Sequence, residues 1–262
     1  MKMGIFARIN VDQLIAFLFQ RYTEEGGFAT APSLPATIED TFYVTDILSI
    51  LEQLDKGLDL RSRIDAERLA GFIRRKYDEE KSRLPLRLIY YIYRIGKNIA
   101  DGPVFSTEKF ACTKLTYENY FYLQELERVT AEAKENLPPL NLARCTCKDV
   151  FFSLLLVPQP DALPPVETIA TWLRACQNGD GGFGFFPGTT SFLENSYYCL
   201  LALSLIEASP ADPARAEQFV VSCQTGAGGF ARSIVGAPFP ESSWHAVNIA
   251  QRLEQTLGVC RT

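Results

Sequence analysis

Three glutamates and a single histidine are the residues of this chain whose spacing could organise chemistry. Glu39, Glu194 and Glu241 each stand eleven residues after the phenylalanine of a glycine-pair triplet: Gly26-Gly27-Phe28, Gly181-Gly182-Phe183 and Gly228-Gly229-Phe230. Each glutamate opens an apolar stretch, which presents a carboxylate at the start of a buried helix. Glu39 is followed directly by Asp40. Two neighbouring carboxylates in an apolar cavity can hold one proton between them, because both do not ionise cheaply, and such a pair is a candidate acid. The same acidic residues also suit a helix cap and a partner for the helix dipole. His245, the only histidine, lies one turn into the helix that Glu241 opens, where a neutral, hydrogen-bonded imidazole is the alternative to a site role. Cys145-x-Cys147 lacks a second cysteine pair at finger spacing, so buried thiols compete with a structural zinc.

The elements that would position these groups follow from the repeat. The last two triplets share a preceding Cys-Gln, as Cys176-Gln177 and Cys223-Gln224, and their phenylalanines are 47 residues apart. Such a period marks a repeat architecture. Ahead of the triplets, Ala216, Phe219, Val220 and Cys223, and one unit earlier Val166, Ile169, Ala170 and Leu173, recur at helical spacing, the stripe of a helix with one buried face. Beyond the triplets the chain is apolar nearly all round, as in Tyr197 to Leu205, the composition of a helix buried on both sides. The glycines are expected to end each outer helix, with the phenylalanine packed beneath the loop. Helices are also predicted at about 63–77, 83–97, 114–133 and 139–157, with breaks at Pro85, Gly102-Pro103 and Pro138-Pro139. The sum is a single all-α domain over residues 1–262, a closed double ring of helical hairpins with clear repeats at 10–55, 165–208 and 211–257.

The residue three places after each repeat glutamate is aromatic: Phe42, Tyr197 and Trp244. A shared register aims all three at one depth of a central cavity, or else has them fill the ring as core.

The pattern Cys-Gln-x4-Gly-Gly-Phe, a loop, then an acidic residue opening an apolar helix resembles the repeat of protein prenyltransferase β subunits, shared in diverged form by terpene cyclases. The resemblance implies an α/α toroid whose inner helices enclose an isoprenoid or its diphosphate. It also implies a zinc that activates an acceptor cysteine, at positions held here by Glu194, Ser196 and His245. Serine in place of cysteine is a far poorer zinc ligand, so a degenerate site is expected; no cofactor is predicted, and zinc or magnesium is the metal the resemblance would admit. Arg232, two residues after Phe230, is the candidate for a diphosphate. By resemblance to the cyclase branch, Thr37-Ile38-Glu39-Asp40-Thr41 stands where an acid-bearing motif opens an inner helix. Three functions follow: an isoprenoid-binding and transferring protein, a cyclase using Glu39 or Asp40 as acid, and a noncatalytic ring for binding or assembly. The first carries the expectation of a helical partner subunit.

Composition narrows the field. A formal net charge of -5 offers no footprint for nucleic acid, whose binding draws on clustered Lys and Arg. No segment approaches the roughly 18 uninterrupted apolar residues of a spanning helix. The first apolar run, Leu14 to Phe19, reads as an amphipathic helix instead of a secretion signal, which predicts a cytoplasmic protein. Seven cysteines, odd in number and scattered, suit reduced thiols.

Overall fold

The computed structural model describes residues 4–80, 84–98, 116–126, 137, 139–156 and 163–259. Ten α-helices occupy them, with 3-10 turns at Ile5–Arg8 and Arg61–Arg63, isolated bridges and no strand. The helices are α1 (Val11–Phe19), α2 (Ile38–Leu54), α3 (Ala66–Glu80), α4 (Leu86–Asn98), α5 (Tyr117–Glu125), α6 (Cys147–Leu155), α7 (Val166–Ala175), α8 (Leu193–Leu205), α9 (Pro213–Ser222) and α10 (Pro240–Val259). Helices α2, α4, α5, α6, α8 and α10 pack in that order, and α10 returns to α2. Six inner helices therefore close a ring, as the doubly buried composition requires. Every residue of α2 from Asp40 to Leu51 is buried.

The outer helices α1, α3, α7 and α9 bury one face each, and α9 covers Ala216, Phe219 and Val220. In α7 the buried face is Ile169, Ala170 and Leu173, while Val166 is exposed. Among the described residues α4, α5 and α6 follow one another without an outer helix between them. The predicted helix 114–133 is seen as α5, capped by Thr116 and Leu126, with 114–115, 127–133 and the Gly102-Pro103 break lying outside the described residues. The predicted helix 139–157 starts only at Cys147, because Thr146 and Asp149 form a reciprocal capping box there.

The glycine pairs do not end the outer helices, contrary to expectation; α1, α7 and α9 stop at Phe19, Ala175 and Ser222, ahead of the triplets. Their task is to seat the next outer helix. Gly26, Gly181 and Gly228 have φ of 97, 91 and 95°, and a Cβ there would fall 2.5, 2.1 and 2.1 Å from the carbonyl oxygens of Arg68, Arg215 and Gln13. The glutamine of Cys-Gln adds a clamp. Gln177 accepts from Asp212 N at 2.8 Å and donates to Asp212 O at 2.9 Å. Gln224 does the same to Asn10, at 2.9 and 3.0 Å. Asp212 and Asn10 are the N-caps of α9 and α1, so the last unit grips the first and the outer ring closes by the bonds used between neighbours.

Candidate functional site

Each inner helix carries a charged residue at its second position and aromatic residues three and four places later. The sets are Glu39-Phe42-Tyr43, Arg87-Tyr90-Tyr91, Glu118-Phe121-Tyr122, Lys148-Phe151-Phe152, Glu194-Tyr197-Tyr198 and Glu241-Trp244-His245. Positions i, i+3 and i+4 share one helix face, and six such faces turned to one axis build a charged rim above two layers of rings. The expected register of Phe42, Tyr197 and Trp244 thus extends to all six helices. Sequence reading overlooked the three middle sets because their units lack the glycine pair; the charge-x-x-aromatic pattern itself would have found them.

These sets, apart from Glu39, enclose a cavity of about 190 Å³. Phe42, Tyr197, Trp244, Glu194 and His245 line it, as do Arg87, Glu118, Lys148 and Glu241 at the rim and Asp46, Arg94 and Asn248 one turn deeper. The rings touch continuously: Phe42 stacks on Tyr91 at 4.0 Å, and Trp244 lies 5.8 Å from Phe42 and 5.1 Å from Tyr197. The wall is more polar than the apolar pocket expected. Asp46 accepts from the Trp244 indole at 2.7 Å and pairs with Arg94 at 3.2 Å. Arg94 donates to the Tyr90 hydroxyl at 2.8 Å, Tyr43 to Glu241 at 3.1 Å and Tyr122 to Glu118 at 2.8 Å. Lys148 pairs with Glu118 at 2.8 Å and Arg87 with Glu39 at 3.8 Å.

Burial sets the protonation of this wall. It raises the Tyr197 and Tyr198 phenols, so both stay neutral, and pushes the Tyr91 phenol up to about 12. His245 is pushed down to about 3, first by burial and then by Lys148, and is a neutral imidazole at any physiological pH. Glu194 is raised by burial and next by the Glu241 carboxylate.

The other predicted residues stand elsewhere. Asp40 is buried, but its carboxylate accepts from the Thr30 and Thr37 hydroxyls at 2.6 and 2.7 Å in the turn before α2 and does not line the cavity. Glu39 sits outside the lining as the partner of Arg87. Arg232 is exposed, its guanidinium 4.0 Å over the Phe192 ring, and it too is absent from the lining.

Ser196 belongs to the scaffold. Its hydroxyl accepts from Phe183 N at 3.0 Å and donates to Phe192 O at 3.0 Å. Thr41 and Ser243 hold Phe28 and Phe230 in the same way. With that oxygen engaged, Glu194, Ser196 and His245 do not fit a zinc, and among the described residues no group of three His, Cys, Asp or Glu is arranged for a metal ion. Cys147 is buried beside Cys176 and Cys199, and burial pushes the Cys145 thiol up to about 11, so these sulfurs behave as packed hydrophobes.

A six-membered ring of inner helices around one aromatic cavity, braced by outer helices on glycine turns, defines an α/α toroid. The family model of the prenyltransferase alpha-alpha toroid domain matches residues 3–85 and 149–255, well over half of the chain, and the chain belongs to that family. The stretch between the two matches holds α4, α5 and the start of α6, the helices whose units lack the glycine pair. The search of curated proteins returned no match. No helix among the described residues is long and apolar enough to cross a membrane.

Proposed function

We propose that this toroid binds a short isoprenoid in its central cavity. The observation that carries the reading is the double layer of aromatic side chains, contributed by all six inner helices at one register, around a space of about 190 Å³. Branched hydrocarbon gains about 0.8 kcal/mol for each methylene removed from water, and ring faces supply that contact from every side. The size sets the length. Drug-sized pockets start near roughly 300 Å³, whereas a cavity of roughly 150 Å³ accepts benzene, so a chain of roughly five to ten carbons suits this space better than a longer one.

Cysteine prenylation through a bound zinc forms no part of the proposal, because Ser196 is committed to the Phe183 turn. Cyclisation started by Asp40 is disfavoured by the engagement of that carboxylate with two threonines outside the cavity. Binding is tested by native mass spectrometry of the whole chain with isoprenoid alcohols and diphosphates of five to twenty carbons. Saturable one-to-one binding of the shorter chains is expected. No binding at any length, or unsaturable uptake of every apolar probe, would overturn the reading.

A further inference from the structure

The polar groups of the cavity wall are unevenly engaged. On the side of α2, α4 and α5 the hydroxyls of Tyr43, Tyr90, Tyr91 and Tyr122 all have partners. The three cations facing the cavity have carboxylate partners as well, Arg87 in Glu39, Arg94 in Asp46 and Lys148 in Glu118. On the side of α8 and α10 the pattern reverses. Tyr197, Tyr198 and His245 are 7, 8 and 4% exposed and line the cavity, yet no hydrogen bond joins their polar atoms to another described residue. Above them Glu194 and Glu241, on adjacent helices, have no ion-pair partner among the described residues. Arg232, exposed on Phe192, and Lys148, paired with Glu118, act on Glu194 only at longer range.

These polar atoms are not sealed into the core but face the cavity, where water or a ligand can reach them, and such a cluster is where a ligand would complete the bonding. We infer that the ligand's head group sits between α8 and α10 and is an organic ammonium, its hydrocarbon directed at the aromatic layers. An ammonium donates to Glu194, Glu241 and the open tyrosine oxygens, and the faces of Trp244 and Tyr197 favour a cation further. A diphosphate would meet two carboxylates without an ion-pair partner among the described residues, one of them hydrogen-bonded by Tyr43, and the cavity cation nearest to Glu194, Lys148, is already paired with Glu118. This assignment rests on the proposed isoprenoid reading and names its head group.

The experiment is isothermal titration of the whole chain at neutral pH with three ten-carbon isoprenoids that differ only at the head: amine, alcohol and diphosphate. The amine is expected to bind about tenfold or more tighter than the alcohol, and the diphosphate weakest. In Glu194→Gln/Glu241→Gln the preference for amine over alcohol should disappear while alcohol affinity persists. Tyr198→Phe, which keeps the ring, should reduce the preference in part and serves if the double variant does not fold. Diphosphate binding equal to or tighter than amine binding overturns the head-group assignment and leaves the isoprenoid reading intact. Absence of saturable binding by all three overturns the isoprenoid reading, and the assignment with it.

Discussion

Ser196 shows how a residue at a position suggestive of chemistry can serve the fold. Its hydroxyl satisfies the amide of Phe183, a residue with no exposed surface, so Ser196→Ala leaves a buried N–H without a partner. That should cost about 1–3 kcal/mol in urea unfolding, and an unchanged midpoint would show that the bond contributes nothing. Glu194 differs, because it faces the cavity and its carboxyl is raised by burial and by Glu241. A carboxyl raised on folding contributes stability below its unfolded value near 4.5 and loses that contribution as pH rises through the folded value. Glu194→Gln is therefore expected to raise the melting temperature at pH 7 to 8 and to leave it nearly unchanged at pH 4. A variant less stable at pH 8 would contradict that.

At the scale of elements, the glycine turns determine whether neighbouring outer helices can dock. Gly228 combines a φ of 95° with a Cβ position 2.1 Å from the Gln13 carbonyl oxygen, whereas Gly188 has a φ of 84° and open space around it. Alanine at Gly188 meets backbone strain alone, of order 1 kcal/mol, while alanine at Gly228 must also push α1 away and should cost clearly more. Thermal or denaturant melts of the two variants measure the difference, and equal losses would refute the docking role. The outer and inner helices were legible as periodicity and composition. The purpose of the glycine pair was not, because the carbonyl it avoids belongs to the next outer helix, at Arg68 for Gly26 and Arg215 for Gly181, or in the last unit to the first helix, at Gln13.

For the whole molecule, closure of the ring buries a histidine that cannot be protonated in place. His245 falls from 6.5 to about 3, so the unfolded chain binds the extra proton between these values and the folded chain does not. Its contribution is complete above pH 6.5 and is lost as pH falls, with a slope approaching about 1.4 kcal/mol per unit. Urea unfolding from pH 7 to 4 should show this slope in the native chain and a flatter one in His245→Phe. Parallel profiles would mean that water or a ligand solvates the imidazole.

The sequence by itself determined the toroid, since a repeat of one-faced and fully apolar helices has few ways to hide its apolar surface. It also placed Phe42, Tyr197 and Trp244 around a common axis, because a fixed offset from a fixed turn repeats the same helix face. What only the tertiary structure decided is which polar groups find partners. Arg87 meets Glu39, Arg94 meets Asp46 and Lys148 meets Glu118 across neighbouring inner helices. Those pairings depend on the order and rotation of helices in the closed ring, which no spacing along one helix encodes. The same closure leaves Glu194, Tyr197, Tyr198 and His245 together in the lining on one side of the cavity, with no side-chain hydrogen bond to another described residue.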